Sequence, residues 1–278
     1  MSVQDYLSAV KIGKKEYHAC VNKGTYPYLP VLEDIIDENS IDREVSLGSD
    51  QIPLRLVVGT CTAGRTTAFA DNFMPILDWG TEFSAKWASL SDSQVNEGIR
   101  DDIKVYEYMN KFYVLEGNKR VSVLKYFKAV TVSAQVIRKI PKYSDDPDVK
   151  IYYEFMDFYK ASHLYCIQFR HPGDYARLLS HLGKKSDDIW EESERRTFNA
   201  YFHYFRDAFS ALQVPPEEVL PEEALLLWLD LYPFHDLGQL STAELKKSVA
   251  ALREDMVANT KKPVSYTHLR AHETCADL

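Results

Sequence analysis

Ile103-Lys104-Val105-Tyr106-Glu107-Tyr108, then Phe112-Tyr113-Val114-Leu115, then Glu116-Gly117-Asn118-Lys119-Arg120 is the stretch that decides how this sequence folds. The first two runs are rich in β-branched and aromatic residues, and Asn110 and Lys111 separate them, which predicts a β-hairpin. Gly117 ends the second strand, and Asn118 is a good N-cap for a helix whose apolar face is Val121, Leu124 and Phe127. Thr131 to Ile137 alternates as a further strand. A glycine between strand and helix lets the backbone turn tightly and approach a ligand closely. The first-turn amides and the helix dipole together make an anion site there. Lys119 and Arg120 fall in that turn, where positive charge opposes the dipole by roughly a few tenths of a kcal/mol unless an anion lies between them. The other reading is a tight turn carrying two solvated basic residues.

Upstream, Tyr6, Leu7, Val10, Tyr17 and Val21 recur at near-helical spacing until Gly24 and Pro27 end the run, and a short helix passes through Leu32, Ile35 and Ile36. Residues 1–44 therefore read as a helical N-terminal arm. Ile52 to Val58 reads as a strand closing in the turn Thr62-Ala63-Gly64-Arg65. A helix is expected near Phe69 to Leu77, and another from Glu82 to Asn96 that Gly98 ends. Over 45–140 the order is strand, helices, hairpin, glycine turn, helix, strand.

Beyond Pro141 the pattern is mostly helical and rich in aromatics. Helices are expected over Pro147 to Tyr159, over Asp174 to Leu182 with Gly183 ending it, and over Arg195 to Leu212; Leu164 to Phe169 reads as a possible strand. In the third helix Phe198, Tyr201, Phe202, Phe205, Ala208, Phe209 and Leu212 share one face, a stripe that reads as core packing, with Asn199, His203 and Asp207 outside. Pro221 opens the next helix. Ser241-Thr242-Ala243-Glu244 is a capping box for the last, with Leu245, Val249, Leu252 and Met256 inward. The fold class is α+β: the arm at 1–44, a domain of strands and helices at 45–140, a mostly helical domain at 141–262, and a tail at 263–278.

Composition is that of a globular protein, 45% hydrophobic and 27% charged over 278 residues. No apolar run is long enough for a membrane span, and the N-terminus lacks the apolar core of a secretory signal, so a cytoplasmic location is expected. Cys20, Cys61, Cys166 and Cys275 stand far apart without a C-x-x-C pair, which predicts free thiols. The net charge of −8 argues against binding DNA by bulk electrostatics. Residues 45–140 carry twelve Lys/Arg against ten Asp/Glu, so the acidity lies in the flanks.

The stretch from Leu90 to Ile137 resembles the N-terminal domain of ParB-like proteins, in the ParB/sulfiredoxin superfamily. The landmarks run in order: Ser91 to Gly98, Ile103 to Val105, Phe112 to Leu115, then Gly117-x-x-Arg120, the helix Val121 to Phe127 and the strand Thr131 to Ile137. Ile52 to Val58 with Gly64 and Arg65 is similar to the opening segment of that family, which carries an arginine after its first strand. The resemblance covers about 90 of the 278 residues and implies that 45–140 is a small mixed-sheet domain whose glycine-arginine turn binds nucleotide phosphates or another anion. Gly117 and Arg120 match its signature, Glu116 matches the acidic residue that often precedes the glycine, and Arg65 matches more loosely. Sulfiredoxins carry a catalytic cysteine where Asn118 and Lys119 stand, so that thiol chemistry is not implied; partitioning proteins have a second arginine where Lys119 stands. The nuclease activity found in parts of the superfamily needs a carboxylate cluster, of which only Glu116 is well placed. Residues 1–260 also resemble the N-terminal part of bacterial proteins in which a ParB-like domain precedes a periplasmic-binding-type module of the basic membrane protein family, the substrate-binding kind that serves ABC transporters. The residues carrying this are Tyr26 to Leu32, Phe112 to Val121 and Ile151 to Phe155. It implies that this chain is a fragment of a larger protein, without that module. Val264 to Thr274 resembles a translated sequencing adapter, although His268, His272, Glu273 and Cys275 have the spacing of a metal site on a helix.

The function these readings imply is regulatory binding of phosphate, a nucleotide or another anionic small molecule, a nucleoside triphosphate with magnesium being one candidate. Gly117 and Asn118 would supply backbone donors; Lys119, Arg120, Arg65 and Gly64 complete the phosphate site, and no metal ligands are assigned. The alternative is an enzyme of phosphoryl transfer or hydrolysis that uses Glu116 as base or metal ligand, with the anion turn holding the phosphates. A DNA-binding partition-type module ranks third. Cys61 beside Arg65 is either a low-pKa thiol or a small buried residue. Asp71, Asp78, Asp92, Asp101 and Asp102 read as solvated acids, and Ser122 and Ser133 have no evident triad partners.

Overall fold

The computed structural model describes residues 2–252, with the side chain of Arg65 outside the description. The chain divides into two compact units between Asp145 and Asp146. Together they make an α+β fold with one five-stranded mixed sheet among the described residues.

In the first unit, β1 (Ile41–Pro53), β2 (Val57–Thr60), β3 (Ile103–Tyr108), β4 (Lys111–Glu116) and β5 (Thr131–Pro141) assemble in the order β1-β5-β3-β4-β2. β1 with β5 and β3 with β4 are antiparallel, whereas β3 with β5 and β2 with β4 are parallel. The expected single strand over Ile52 to Val58 is interrupted by a 3-10 turn at Leu54–Leu56. The order of the sheet explains this: β1 and β2 are its two opposite edges, so the chain must leave the sheet between them. Pro53, which has no N–H to give a ladder, stands at that exit. β1 also begins at Ile41, inside the segment read as helical arm.

The hairpin turn is Met109-Asn110, both with positive φ (51° and 63°), and Lys111 already belongs to β4, paired with Tyr108 of β3. Two left-handed residues are what a two-residue hairpin loop requires to match the strand twist. Glu107 of β3 and Arg138 of β5 form a buried ion pair.

The helices of this unit are α1 (Ser2–Lys23), the single turn α2 (Leu32–Ile35), α3 (Glu82–Asn96) and α4 (Asn118–Tyr126). A capping box of Thr81 and Ser84 starts α3 where the sequence places it. Tyr6, Ala9 and Val10 of α1 pack with Met74, Trp87 of α3 and Val123 of α4. The Trp87 indole donates to the Ser122 hydroxyl at 2.8 Å, tying α3 to α4. Gly13 allows α1 to lie on the 74–75 backbone, since a Cβ there would stand 2.4 Å from the Pro75 carbonyl oxygen.

The helix expected near Phe69 to Leu77 is absent. Ala63–Ala68 is a 3-10 segment, and the chain beyond it loops back so that Phe69 bridges Pro75 and Ala70 bridges Tyr28. Phe69, Ala70, Phe73 and Met74 are buried while Asp71 is exposed, which is an amphipathic spacing, but the backbone does not follow it: Phe73 takes a left-handed φ of 68°, and Pro75 cannot continue a helix ladder.

The second unit contains α5 (Pro147–Ser162), α6 (Asp174–His181), α7 (Glu192–Ser210), α8 (Pro221–Leu229) and α9 (Thr242–Ala251). Its core is aromatic: Phe158 and Phe198 both meet Trp190 edge-on, at 5.8 and 5.5 Å between ring centres. Phe198, Phe202, Phe205, Ala208 and Phe209 are buried along α7, which makes the stripe a packing face. Leu164 to Phe169 is not a strand. Leu164, Tyr165, Ile167 and Phe169 are buried, but no strand is described in this unit for them to pair with.

Candidate functional site

β4 delivers Glu116 to the edge of a cleft, and Gly117 turns the chain into α4 with φ 117° and ψ 16°. Two constraints select glycine at this point. The backbone is left-handed, and a Cβ would lie 2.6 Å from Cγ2 of Ile103 on the neighbouring strand. Gly117 itself occupies the N-cap position, and no side chain caps the first turn. Asn118 is therefore not the N-cap expected from the sequence. It is the first helical residue, and its Nδ2 donates to Thr60 Oγ1 at 3.1 Å, while that hydroxyl donates to the Val114 carbonyl at 3.0 Å. The side chain pins the turn to β2, leaving its Oδ1 buried without a hydrogen-bond partner among the described residues.

The cleft has a volume of about 550 Å³ and is walled by Phe69, Phe83, Leu90 and Leu115, with Lys86, Lys119 and Arg120 as its cations and Glu116 as its carboxylate. Lys119 Nζ lies over the Phe83 ring, 5.0 Å from its centre. Arg120 is held more firmly: Nη1 donates to the Asp102 carbonyl at 2.6 Å and Nη2 lies 3.8 Å from Glu116 Oε1. Lys86 pairs with Glu82 at 2.5 Å on the same helix.

Glu116 is exposed and pairs with Lys104 at 3.0 Å. Lys104, with a smaller contribution from Arg120, holds its carboxyl below the usual range, which weakens it as a base at neutral pH.

Of the residues singled out from the sequence, Glu116, Gly117, Asn118, Lys119 and Arg120 come together at this cleft, but Gly64 does not. Gly64 is exposed in the 3-10 segment after β2, and Arg65 follows it with its side chain outside the described residues. His268, His272, Glu273 and Cys275 also lie outside the described residues. Cys61 is the buried thiol of the two alternatives: it donates to the Tyr113 carbonyl at 3.3 Å, and burial pushes its pKa up to about 11. Ser133 donates to Asp102, and Ser122 accepts from Trp87, so both hydroxyls hold structure together.

Sequence reasoning missed Phe83, Lys86 and Leu90. Their spacing of three and four residues does put them on one face of α3. That this face looks onto the start of α4 is a tertiary fact, to which the sequence holds no local signal. Comparison with family models and with curated proteins finds no match for this chain.

Proposed function

We propose that the first unit is a binding domain of ParB/sulfiredoxin-like type that holds a phosphate-bearing small molecule, such as a nucleotide, in a regulatory role. The observation that carries this reading is the convergence of Lys86, Lys119 and Arg120 on one cleft, at an N-terminal helix turn that no side chain caps. Such a turn presents amide donors and positive dipole to an anion, and three cations add charge-assisted hydrogen bonds. The catalytic alternative is less well supported, because Glu116 is exposed and its lowered pKa suits an ion-pair partner better than a general base.

The test is thermal unfolding of the full chain with inorganic phosphate or nucleoside triphosphates, with and without magnesium. A ligand that binds only the folded state adds about 2.7 kcal/mol of stability at a hundred times its Kd. A rise in Tm with at least one of these ligands is expected, and Lys86→Ala combined with Lys119→Ala should remove it. If no phosphate compound shifts the transition, or the double variant shifts as the parent does, the reading fails.

A further inference from the structure

A second cleft of about 280 Å³ lies on the sheet, walled by Ser46 and Ser49 of β1, Lys104 of β3, Leu115 of β4 and Gln135 and Ile137 of β5. Three features join it to the first. Leu115, about half exposed, lines both. The Lys104–Glu116 ion pair spans them, Lys104 lining one and Glu116 the other. Asp102 is gripped from both sides: Arg120 takes its carbonyl at 2.6 Å, and Ser49 donates to its carboxylate at 2.7 Å.

Two of the four register shifts of the sheet fall here, the others being at Ile41/Arg43 and Val57/Gly59. Between β3 and β4 the register steps from Lys104↔Glu116 to Val105↔Val114, so Leu115 is an extra residue. Between β1 and β5 it steps from Ser46↔Ile137 to Gly48↔Val136, so Leu47 is another. A bulge leaves ladder groups unpaired and re-aims side chains, and bulges gather next to binding sites. Leu115 lines the cleft itself, and Ser46 and Gly48, which flank Leu47, line it from β1.

Resting on the anion-binding reading above, we infer that the two clefts form one groove for a phosphomonoester with a polyhydroxylated body, the chemistry that sugar phosphates and nucleotides share. The phosphate sits at Lys86 and Lys119. The body crosses Leu115 and places its hydroxyls against Ser46 and Gln135, both exposed and uncharged, with Ile137 beneath. This accounts for what a bare phosphate site would not need, a second cleft of largely aliphatic walls that carries the exposed Ser46 and Gln135 beside the charged one.

The experiment compares inorganic phosphate, ribose 5-phosphate and adenosine 5′-monophosphate by calorimetric titration of the full chain and of the variant carrying Ser46→Ala and Gln135→Ala. The parent should bind ribose 5-phosphate at least about tenfold more tightly than phosphate, the effect of one or two hydrogen bonds to an uncharged partner. The variant should lose that gain and keep its phosphate affinity, which also shows that it is folded. Adenosine 5′-monophosphate should follow ribose 5-phosphate in the variant if its ribose occupies the sheet cleft. Equal binding of phosphate and ribose 5-phosphate by the parent, a variant that keeps the gain, or one that loses phosphate as well, overturns the groove while leaving the anion site standing. A parent that binds none of the three overturns the anion reading, and the groove with it.

Discussion

At the scale of single residues the turn at Gly117 is fixed by sterics and the arginine by hydrogen bonding. Gly117→Ala would force a Cβ against Ile103 and a side chain into a left-handed backbone, each of which costs on the order of 1–3 kcal/mol. Denaturant titration should therefore show a clear loss of stability; a loss within about 0.5 kcal/mol, the range of ordinary surface changes, would mean the turn tolerates a side chain. For Arg120, charge–dipole reasoning from sequence alone expects alanine to be neutral or slightly stabilising, since a cation leaves a helix N-terminus. The geometry reverses that expectation. Arg120→Ala removes a charged donor from the Asp102 carbonyl and is expected to cost about 1.5–3 kcal/mol in the absence of any ligand. Unchanged stability would show that water replaces the guanidinium there without loss.

At the scale of elements, the sequence is legible where the signal is local. The end of α3 follows from Gly98, the hairpin from two runs of β formers, and the turn into α4 from Gly117 after Glu116. It is illegible where the chain answers to distant partners. Nothing within Ile52 to Val58 says that its two ends belong to opposite edges of a sheet, and nothing within Phe69 to Leu77 says that Ala70 will bridge the distant Tyr28. The site divides the same way: the turn is written in five consecutive residues, whereas Phe83, Lys86 and Leu90 join it only through the packing of α3. An element-scale property also sets a pH dependence in α6. Burial, reinforced by the charges of Glu223 and Glu154 and opposed by His171 and Arg177, pushes the pKa of Asp174 up to about 6 from its ordinary 3.8. Between those values the folded chain holds a proton that the unfolded chain has released, so stability falls as pH rises through that window. Asp174→Asn mimics the protonated form. Its melting temperature should exceed that of the parent at pH 7, with the gap closing toward pH 4; an equal gap at both would show that the carboxyl titrates normally.

At the scale of the whole molecule, the question is whether the cations of the first unit amount to a nucleic-acid surface. Duplex DNA rewards many phosphate contacts spread along a face, because affinity comes from releasing counterions at each one. The chain carries a net −8, and even residues 45–140 hold only twelve Lys/Arg against ten Asp/Glu. The cleft repeats that balance in miniature: Lys86 pairs with Glu82, Lys104 with Glu116, and Arg120 stands near Glu116. Positive charge is thus concentrated at one concave point and offset around it, which suits one small anion and gives a long polyanion little to follow. No helix among the described residues is long and apolar enough to cross a membrane. Affinity for a random duplex, followed by fluorescence anisotropy at physiological salt, should therefore be weaker than roughly 10⁻⁴ M, the weak end of ordinary non-specific binding. Raising the salt should change little, since few counterions are displaced. Micromolar binding that falls steeply with salt would instead require a continuous basic path over the surface, and the assignment of the cleft to a small anion would then have to give way to a nucleic-acid interface.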